Sequence, residues 1–157
     1  PSLFELGVLP AVDVGKSVSR VGGKAQRAAY RAVAGDLKLA YAQFEELETF
    51  ARFGTRLDEE TRRSLERGRR VREILNQAEH DLLTVPEQVI VLLAATSGLL
   101  DAIPVDRVAD AETDLRRSIR SEEPELAGRI ADGQELGPDD RETILAMARR
   151  VLERYRQ

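Results

Sequence analysis

The sequence predicts an all-α fold, a helical bundle that follows a short strand-like and glycine-rich segment. Beyond Gly23, apolar residues recur three and four positions apart, which is the spacing of amphipathic helices. Of the 157 residues, 42% are hydrophobic and 33% are charged, so the protein is able to bury one core of ordinary size. We place the boundary between the two parts near Gln26, with residues 1–26 before it and a helical domain of residues 27–157 after it.

A short β-strand is predicted in the first part, because a run rich in β-branched residues precedes the glycines. The run consists of Ala11, Val12, Asp13 and Val14. Two conformationally free glycines, Gly22 and Gly23, then join this segment to the helical part.

The first long helix is predicted to begin near Asp36 and to end before Gly54. Its apolar face consists of Leu37, Ala40, Phe44, Leu47 and Ala51. Gly54 can adopt the left-handed conformation that commonly ends a helix. Asp58 can then accept a hydrogen bond from the first turn of the next helix.

The next helix is rich in arginine. Its apolar side consists of Leu65, Val71, Ile74 and Leu75. The arginines on the remaining surface are Arg62, Arg63, Arg67, Arg69, Arg70 and Arg72. Glutamates at positions 59, 60, 66 and 73 lie among them at spacings of three and four, so the positive charge is compensated along the helix. The pattern favours a face that is solvated or lies against another subunit.

A buried central helix is predicted to start at Thr84, with Glu87 three residues later completing a capping box. Residues 89–95 are apolar without interruption, and a helix that is apolar all round is buried all round. Three further amphipathic helices are predicted at residues 105–120, 122–132 and 138–155. The core stripe of the last one consists of Ile144, Ala148, Val151 and Tyr155.

Charge and hydropathy exclude several classes of partner. The 24 basic and 28 acidic residues give a net charge of −4, which offers no field that would gather nucleic acid or anionic lipid. The longest apolar run, residues 89–95, is far shorter than the roughly 20 residues that a membrane-spanning helix needs. We therefore expect protein partners, with any membrane contact made through other subunits.

A metal site is not expected. The sequence contains no cysteine and a single histidine, His80, whose position favours a polar loop residue. The acidic pairs Glu59–Glu60 and Asp139–Asp140 lie at predicted helix starts, where the helix dipole favours negative charge. The position of these carboxylates therefore favours helix capping over metal binding.

Arg20 is the candidate functional residue. The small residues around it, in Ser17-Val18-Ser19-Arg20-Val21-Gly22-Gly23, let a neighbouring surface approach closely. The sequence has no Gly-x-x-x-x-Gly-Lys-Ser/Thr loop, so any phosphate that Arg20 meets must be bound elsewhere. A planar, always charged guanidinium supplied in trans suits phosphoryl transfer. A surface salt bridge is the alternative interpretation of this arginine.

The segment Gly7-Val8-Leu9-Pro10-Ala11-Val12-Asp13-Val14-Gly15-Lys16-Ser17-Val18-Ser19-Arg20-Val21-Gly22 resembles the alpha subunit of F-type ATP synthases. Later motifs follow in the family's order and spacing, from Val33-Ala34-Gly35-Asp36-Leu37-Lys38-Leu39 to Phe50-Ala51-Arg52-Phe53-Gly54 and Arg67-Gly68. The resemblance is specific through Gly54 and becomes a helical pattern after about Asp101. It implies a carboxy-terminal fragment, in which residues 1–26 are the end of a nucleotide-binding domain.

The resemblance also implies a role for the Arg20 segment. In the family the matching arginine reaches across a subunit interface to the nucleotide on the beta subunit, so Arg20 would act there as an arginine finger, with Val18 and Ser19 as flanking contacts. The implied parent complex uses ATP or ADP with magnesium, and its partners for this polypeptide are beta subunits and the central-stalk gamma subunit. The fragment itself would be inactive and hold no cofactor. We place the complex at the cytoplasmic face of a bacterial inner membrane.

Other matched positions carry weaker expectations. Gln77 aligns with the first of two family glutamines that touch the adenine of the non-catalytic nucleotide, whereas Glu79 replaces the second one. Asp58 lies in a turn that corresponds to a loop near the rotating stalk, although capping is equally expected of it. Lys16 and Lys24 replace smaller or apolar family residues, which indicates an atypical branch.

Two other classes of function stay open on the residues alone. One is a free-standing helical scaffold or adaptor without any nucleotide. The other is an RNA-binding helical module, which would need an uncompensated basic stripe on the arginine-rich helix.

Overall fold

Seven α-helices and two short 3-10 turns are seen in a computed structural model that describes residues 3–5, 7–14, 16–51 (residue 36 by its backbone alone), 57–77 and 81–156. The α-helices are α1 (Gly22–Ala25), α2 (Ala28–Ala51), α3 (Glu59–Leu75), α4 (Val85–Thr96), α5 (Val108–Glu122), α6 (Pro124–Ala131) and α7 (Pro138–Leu152). The 3-10 turns span Val105–Arg107 and Glu153–Tyr155. The all-α prediction is confirmed. Gly54, Arg56, Glu79 and His80 lie outside the described residues.

The strand predicted at residues 11–14 is wrong. Residues 11–13 have no regular structure and Val14 lies in a turn, and no strand occurs anywhere in the described ranges. A strand is stabilised by hydrogen bonds to a neighbouring strand. Here the Asp13 carbonyl instead accepts the backbone N–H of Ser17 at 2.9 Å, which bends the backbone.

Helix α2 begins at Ala28, two turns earlier than predicted. Ala29 and Val33 are buried and extend the apolar stripe of Tyr41 and Phe44 toward the amino end. Gly35 therefore lies in the middle of the helix, where packing overrides its poor helix propensity.

Helix α4 is the centre of the bundle, as predicted. It contacts α2, α3, α5, α6 and α7, and Val89, Ile90 and Leu93 have no exposed surface. Its start is fixed by Glu87, whose carboxylate accepts hydrogen bonds from the Thr84 backbone N–H at 2.7 Å and from the Thr84 hydroxyl at 2.6 Å.

The capping glutamate makes the start of α4 sensitive to pH. Burial alone would raise the pKa of Glu87, but the hydrogen bonds from Thr84 and the charge of Arg120 outweigh it and lower the pKa. A lowered pKa in the folded state means that the carboxylate stabilises the fold above its unfolded pKa of about 4.3, and that this stability is lost as the pH falls.

Glu87→Gln is therefore expected to destabilise the protein by about 1 kcal/mol at neutral pH, because the amide keeps an acceptor oxygen but not the charge. The difference from the parent should shrink as the pH falls below about 4.3 and through the lowered pKa of Glu87, since the parent carboxylate then becomes protonated as well. Urea unfolding at both pH values measures this, with the exposed Glu142→Gln in α7 as the control. A difference independent of pH would contradict the assignment.

The arginine-rich face of α3 is only partly the solvated surface that the spacing predicts. Arg70 is 9% exposed and donates its Nε–H to the Ile103 carbonyl oxygen at 2.7 Å. Arg72 donates to both Glu48 carboxylate oxygens at 2.9 and 2.7 Å and stacks on the ring of Phe44. Arg72 thereby joins α3 to α2, and Arg70 joins α3 to the loop after α4, because their long side chains reach across to neighbouring elements.

The remaining arginines of α3 are exposed. Arg63 pairs with Glu59 at 2.6 Å, and Arg67 pairs with Asp101. The stripe that an RNA-binding module would need is therefore largely neutralised or buried, which disfavours that alternative.

A close approach of α2 and α3 occurs at Gly68. A Cβ atom on this residue would lie 2.1 Å from two ring atoms of Phe44 and 2.5 Å from its Cβ. The predicted core stripe of the last helix is also present, since Ile144, Ala148 and Tyr155 are buried.

Candidate functional site

Arg20 lies on the surface, between a turn that begins at Asp13 and the start of α1. Its side chain makes no hydrogen bond or ion pair with any residue that the structure describes. The flanking Val18 is 87% exposed and Ser19 is also exposed. The guanidinium of Arg20 is thus available to an anion brought by another molecule. The surface salt bridge, which was the alternative interpretation of this arginine, is not formed with any described residue.

The turn before Arg20 is held by Asp13. Its carboxylate accepts the backbone N–H of Lys16 at 2.9 Å and lies 3.0 Å from the Lys16 ammonium. The Ser17 hydroxyl also donates to the Asp13 carbonyl oxygen. The hydrogen bond that the Lys16 ammonium donates to the Asp13 carboxylate raises the pKa of Lys16. Lys16, whose role the sequence does not indicate, therefore takes part in closing this turn.

Helix α2 meets the same turn through Lys38, whose ammonium lies 3.5 Å from the Ser17 carbonyl oxygen. A groove of about 630 Å³ runs between the Arg20 segment and α2. Small and apolar residues form most of its lining, including Gly22, Gly23 and Leu39.

Gln77 lies just after α3, where the backbone meets the amino-terminal segment. Its backbone N–H donates to the Leu9 carbonyl oxygen at 3.1 Å, and the Leu9 N–H donates to Oδ1 of Asn76 at the same distance. The side-chain amide of Gln77 donates to the Asp81 carbonyl oxygen. Gln77 also borders a cavity of about 110 Å³ that is lined mainly by apolar residues of α3 and α4.

Asp58 is the N-cap of α3, as predicted. Its Oδ1 accepts the backbone N–H of Thr61 at 2.7 Å, and this hydrogen bond lowers the pKa of Asp58. The carboxylate is exposed and could also meet a partner.

Two substitutions separate the capping role of Asp58 from its charge. Asp58→Ala is expected to lower the melting temperature of the protein at neutral pH, since the Thr61 N–H loses its acceptor. Asp58→Asn should change it much less because the amide oxygen can replace Oδ1. Thermal unfolding by circular dichroism measures both variants, and equal losses would show that charge, rather than capping, dominates.

The structure does not bring Asp58 and Gln77 together. Asp58 and Gln77 flank opposite ends of α3, a helix of 17 residues, and are thus about 25 Å apart.

The described ranges contain no group of three or more acidic or histidine side chains that could hold a metal ion. In the same ranges, no helix has both the length and the apolar composition needed to cross a membrane.

Sequence reasoning missed the residues that support the Arg20 segment. Asp13 carries a detectable signal, because aspartate side chains commonly accept hydrogen bonds from backbone N–H groups a few residues later and therefore favour turns. Lys38 and Asn76 carry none, since each contacts a segment far away in sequence.

Comparisons with known proteins agree with this architecture. The model of the family described as the ATP synthase alpha/beta chain, C terminal domain, matches residues 26–151.

Similar full-length proteins are ATP synthase alpha subunits. ATP synthase subunit alpha 2 of Syntrophus aciditrophicus is 57% identical over 150 residues, which are 96% of this chain and 29% of that protein. The subunit alpha 2 of Albidiferax ferrireducens and the subunit alpha 1 of Shewanella frigidimarina are each 57% identical over 152 residues, 97% of this chain. The chain spans 28 to 29% of the length of these curated relatives. It therefore belongs to the family of carboxy-terminal domains of ATP synthase alpha and beta subunits.

Proposed function

We propose that this polypeptide is the carboxy-terminal part of an alpha subunit of a rotary F-type ATP synthase and that it supplies Arg20 in trans to a catalytic nucleotide site on a beta subunit. The observation that carries the proposal is the exposed guanidinium of Arg20, unpaired among the described residues, in a segment that matches the family around it. The 57% identity to alpha subunits supports the same assignment.

The chemistry assigned to Arg20 is electrostatic. Its positively charged guanidinium presents N–H donors in a planar fork, so it can bind two oxygens of a phosphoryl group as their charge increases. It can act as neither an acid nor a base. Under the proposal, the nucleotide and its magnesium are held by the beta subunit, and Arg20 reaches them from outside.

The proposal extends to partners and place. Beta subunits would contact Arg20, Val18 and Ser19, and the central-stalk gamma subunit would pass near the exposed Asp58. Ion coupling and the membrane attachment belong to other subunits, at the cytoplasmic face of a bacterial inner membrane. Gln77 stays a predicted contact to adenine of a non-catalytic nucleotide, through the carbonyl oxygen of its side chain.

The test is multi-site ATP turnover in an assembled complex that carries Arg20→Ala. A scaffold or adaptor role would leave turnover unchanged, whereas the proposed role requires a large loss. Nucleotide binding on the beta subunit must be measured beside it, since the loss should be in chemistry and not in occupancy.

The isolated polypeptide should be indifferent to nucleotide. Millimolar MgATP is expected to leave its melting temperature unchanged within about 1 °C, because a ligand stabilises only a protein that binds it in the folded state. Sodium sulfate at equal ionic strength is the control for general salt effects. A rise of several degrees specific to MgATP would reveal a self-contained site and overturn this expectation.

A further inference from the structure

The half-buried Val14 packs against the core, but the residues that directly flank Arg20 are held by polar contacts. Val18 and Val21 are 87% and 66% exposed, so the apolar side chains of this segment contribute little packing. Without other restraints, a surface segment of this kind would sample many conformations. The restraints therefore determine where the backbone of Arg20 lies.

The first restraint is the turn at Asp13. One carboxylate oxygen accepts the Lys16 N–H at 2.9 Å, and the carbonyl oxygen accepts the Ser17 N–H at 2.9 Å. The ion pair with the Lys16 ammonium is exposed and adds little. The side chain of Asp13 thus holds the backbone of Lys16 through an acceptor oxygen more than through its charge, while the backbone carbonyl of the same residue holds Ser17.

The second restraint is Lys38. At 3.5 Å from the Ser17 carbonyl oxygen, its ammonium attracts the oxygen mainly as a charge acting on a dipole. Lys38 lies within the 24-residue helix α2, so this contact ties the turn to the body of the bundle.

The far end of the segment is fixed by α1. The Lys24 and Ala25 N–H groups both donate to the Val21 carbonyl oxygen at 3.0 Å. Three residues separate Ser17 from Val21, so an extended backbone between these two fixed points spans at most about 14 Å. Arg20 lies within this short stretch of backbone, so the fixed positions of Ser17 and Val21 limit how far it can move.

We propose that Asp13 and Lys38 are positioning residues for Arg20, which hold the arginine segment on α2 at the place from which it enters the site of another subunit. The inference rests on the proposed function of Arg20. It adds two residues that touch neither nucleotide nor substrate and act only through the position of Arg20.

The first arm of the test uses the isolated polypeptide. In Lys38→Met and Asp13→Ala, the backbone order parameters of residues 17–20 from nitrogen-15 relaxation should fall from about 0.85 to below about 0.6. Lys38→Arg and Asp13→Asn should keep the parental values, since each retains the donor or the acceptor. The control is Lys24→Met, which removes a neighbouring exposed charge that forms no side-chain hydrogen bond or ion pair with the described residues. Unchanged order in Lys38→Met and Asp13→Ala would overturn the proposal.

The second arm uses the assembled complex. Lys38→Met and Asp13→Ala should lower kcat for ATP hydrolysis about tenfold with little change in KM, because a misplaced catalytic group affects the transition state more than binding. Lys38→Arg and Asp13→Asn should restore kcat. Loss of order with parental kcat would refute positioning. If Arg20→Ala itself left turnover unchanged, the proposed function would fail as well. The relaxation data would still show whether Asp13 and Lys38 order the segment.

Discussion

Arg20→Ala is expected to reduce multi-site ATP turnover of an assembled complex about a thousandfold, which is the scale of a lost arginine finger. The reason is that the charge developing on the transferring oxygens would lose a positively charged, planar fork of donors. Nucleotide should still bind to the beta subunit, because the phosphate loop and the metal belong to that subunit under the proposal. Steady-state hydrolysis and equilibrium nucleotide binding, measured on the same preparation, separate the two effects.

Two companion variants sharpen this result. Arg20→Lys should recover little activity, since a point charge cannot reproduce the planar fork. Arg62→Ala, which removes an exposed arginine of α3, should leave turnover at the parental level. In the isolated polypeptide, Arg20→Ala should change the free energy of unfolding by no more than about 0.5 kcal/mol. Parental turnover of the assembled Arg20→Ala complex would refute the finger assignment.

Gly68→Ala is expected to destabilise the protein by about 2 kcal/mol. The added methyl carbon would lie 2.1 Å from ring atoms of Phe44, and that ring is buried beneath the guanidinium of Arg72 at 4.5 Å from the ring centre. The two helices must separate or the ring must leave its rotamer, which at so short a distance costs about 3 kcal/mol, the upper end of the usual range for overpacking. This exceeds by about 2 kcal/mol the roughly 1 kcal/mol that alanine gains over glycine in a helix. Urea unfolding measures the change.

Gly35→Ala is the matched control because Gly35 also lies inside a helix but has no atom within 4 Å of the added carbon. It should stabilise the protein by up to about 1 kcal/mol. In a Phe44→Ala background, the cost of Gly68→Ala should largely disappear, since the clashing ring is absent. Equal effects of the two glycine substitutions would show that the close crossing of α2 and α3 does not exist in solution.

Local patterns were sufficient to predict most of the helices. Thr84 and Glu87 stand three residues apart and form the capping contact that this spacing predicts. The unbroken apolar run at residues 89–95 likewise predicted the buried central helix α4. Such features depend on neighbours within one turn of helix, so the sequence contains all the information needed.

The misassigned elements are those whose state depends on distant partners. A strand at residues 11–14 needs a second strand to bond with, and Asp13 forms a turn instead. The start of α2 was placed too late because Ala29 and Val33 are recognised as core only once the other helices cover them.

The sequence by itself determined the all-α class, the caps at Asp58 and Thr84, and the identity of Arg20 as the candidate site. Tertiary structure alone decided that Arg70 binds the Ile103 carbonyl 33 residues away and that Lys38 contacts Ser17 across 21 residues. Helix spacing shows which side a residue faces, but a long cationic residue can extend to water or to a neighbouring helix from the same position. Only the packing of the helices chooses between these two states, and the same packing places Lys38 of α2 beside the Ser17 carbonyl oxygen.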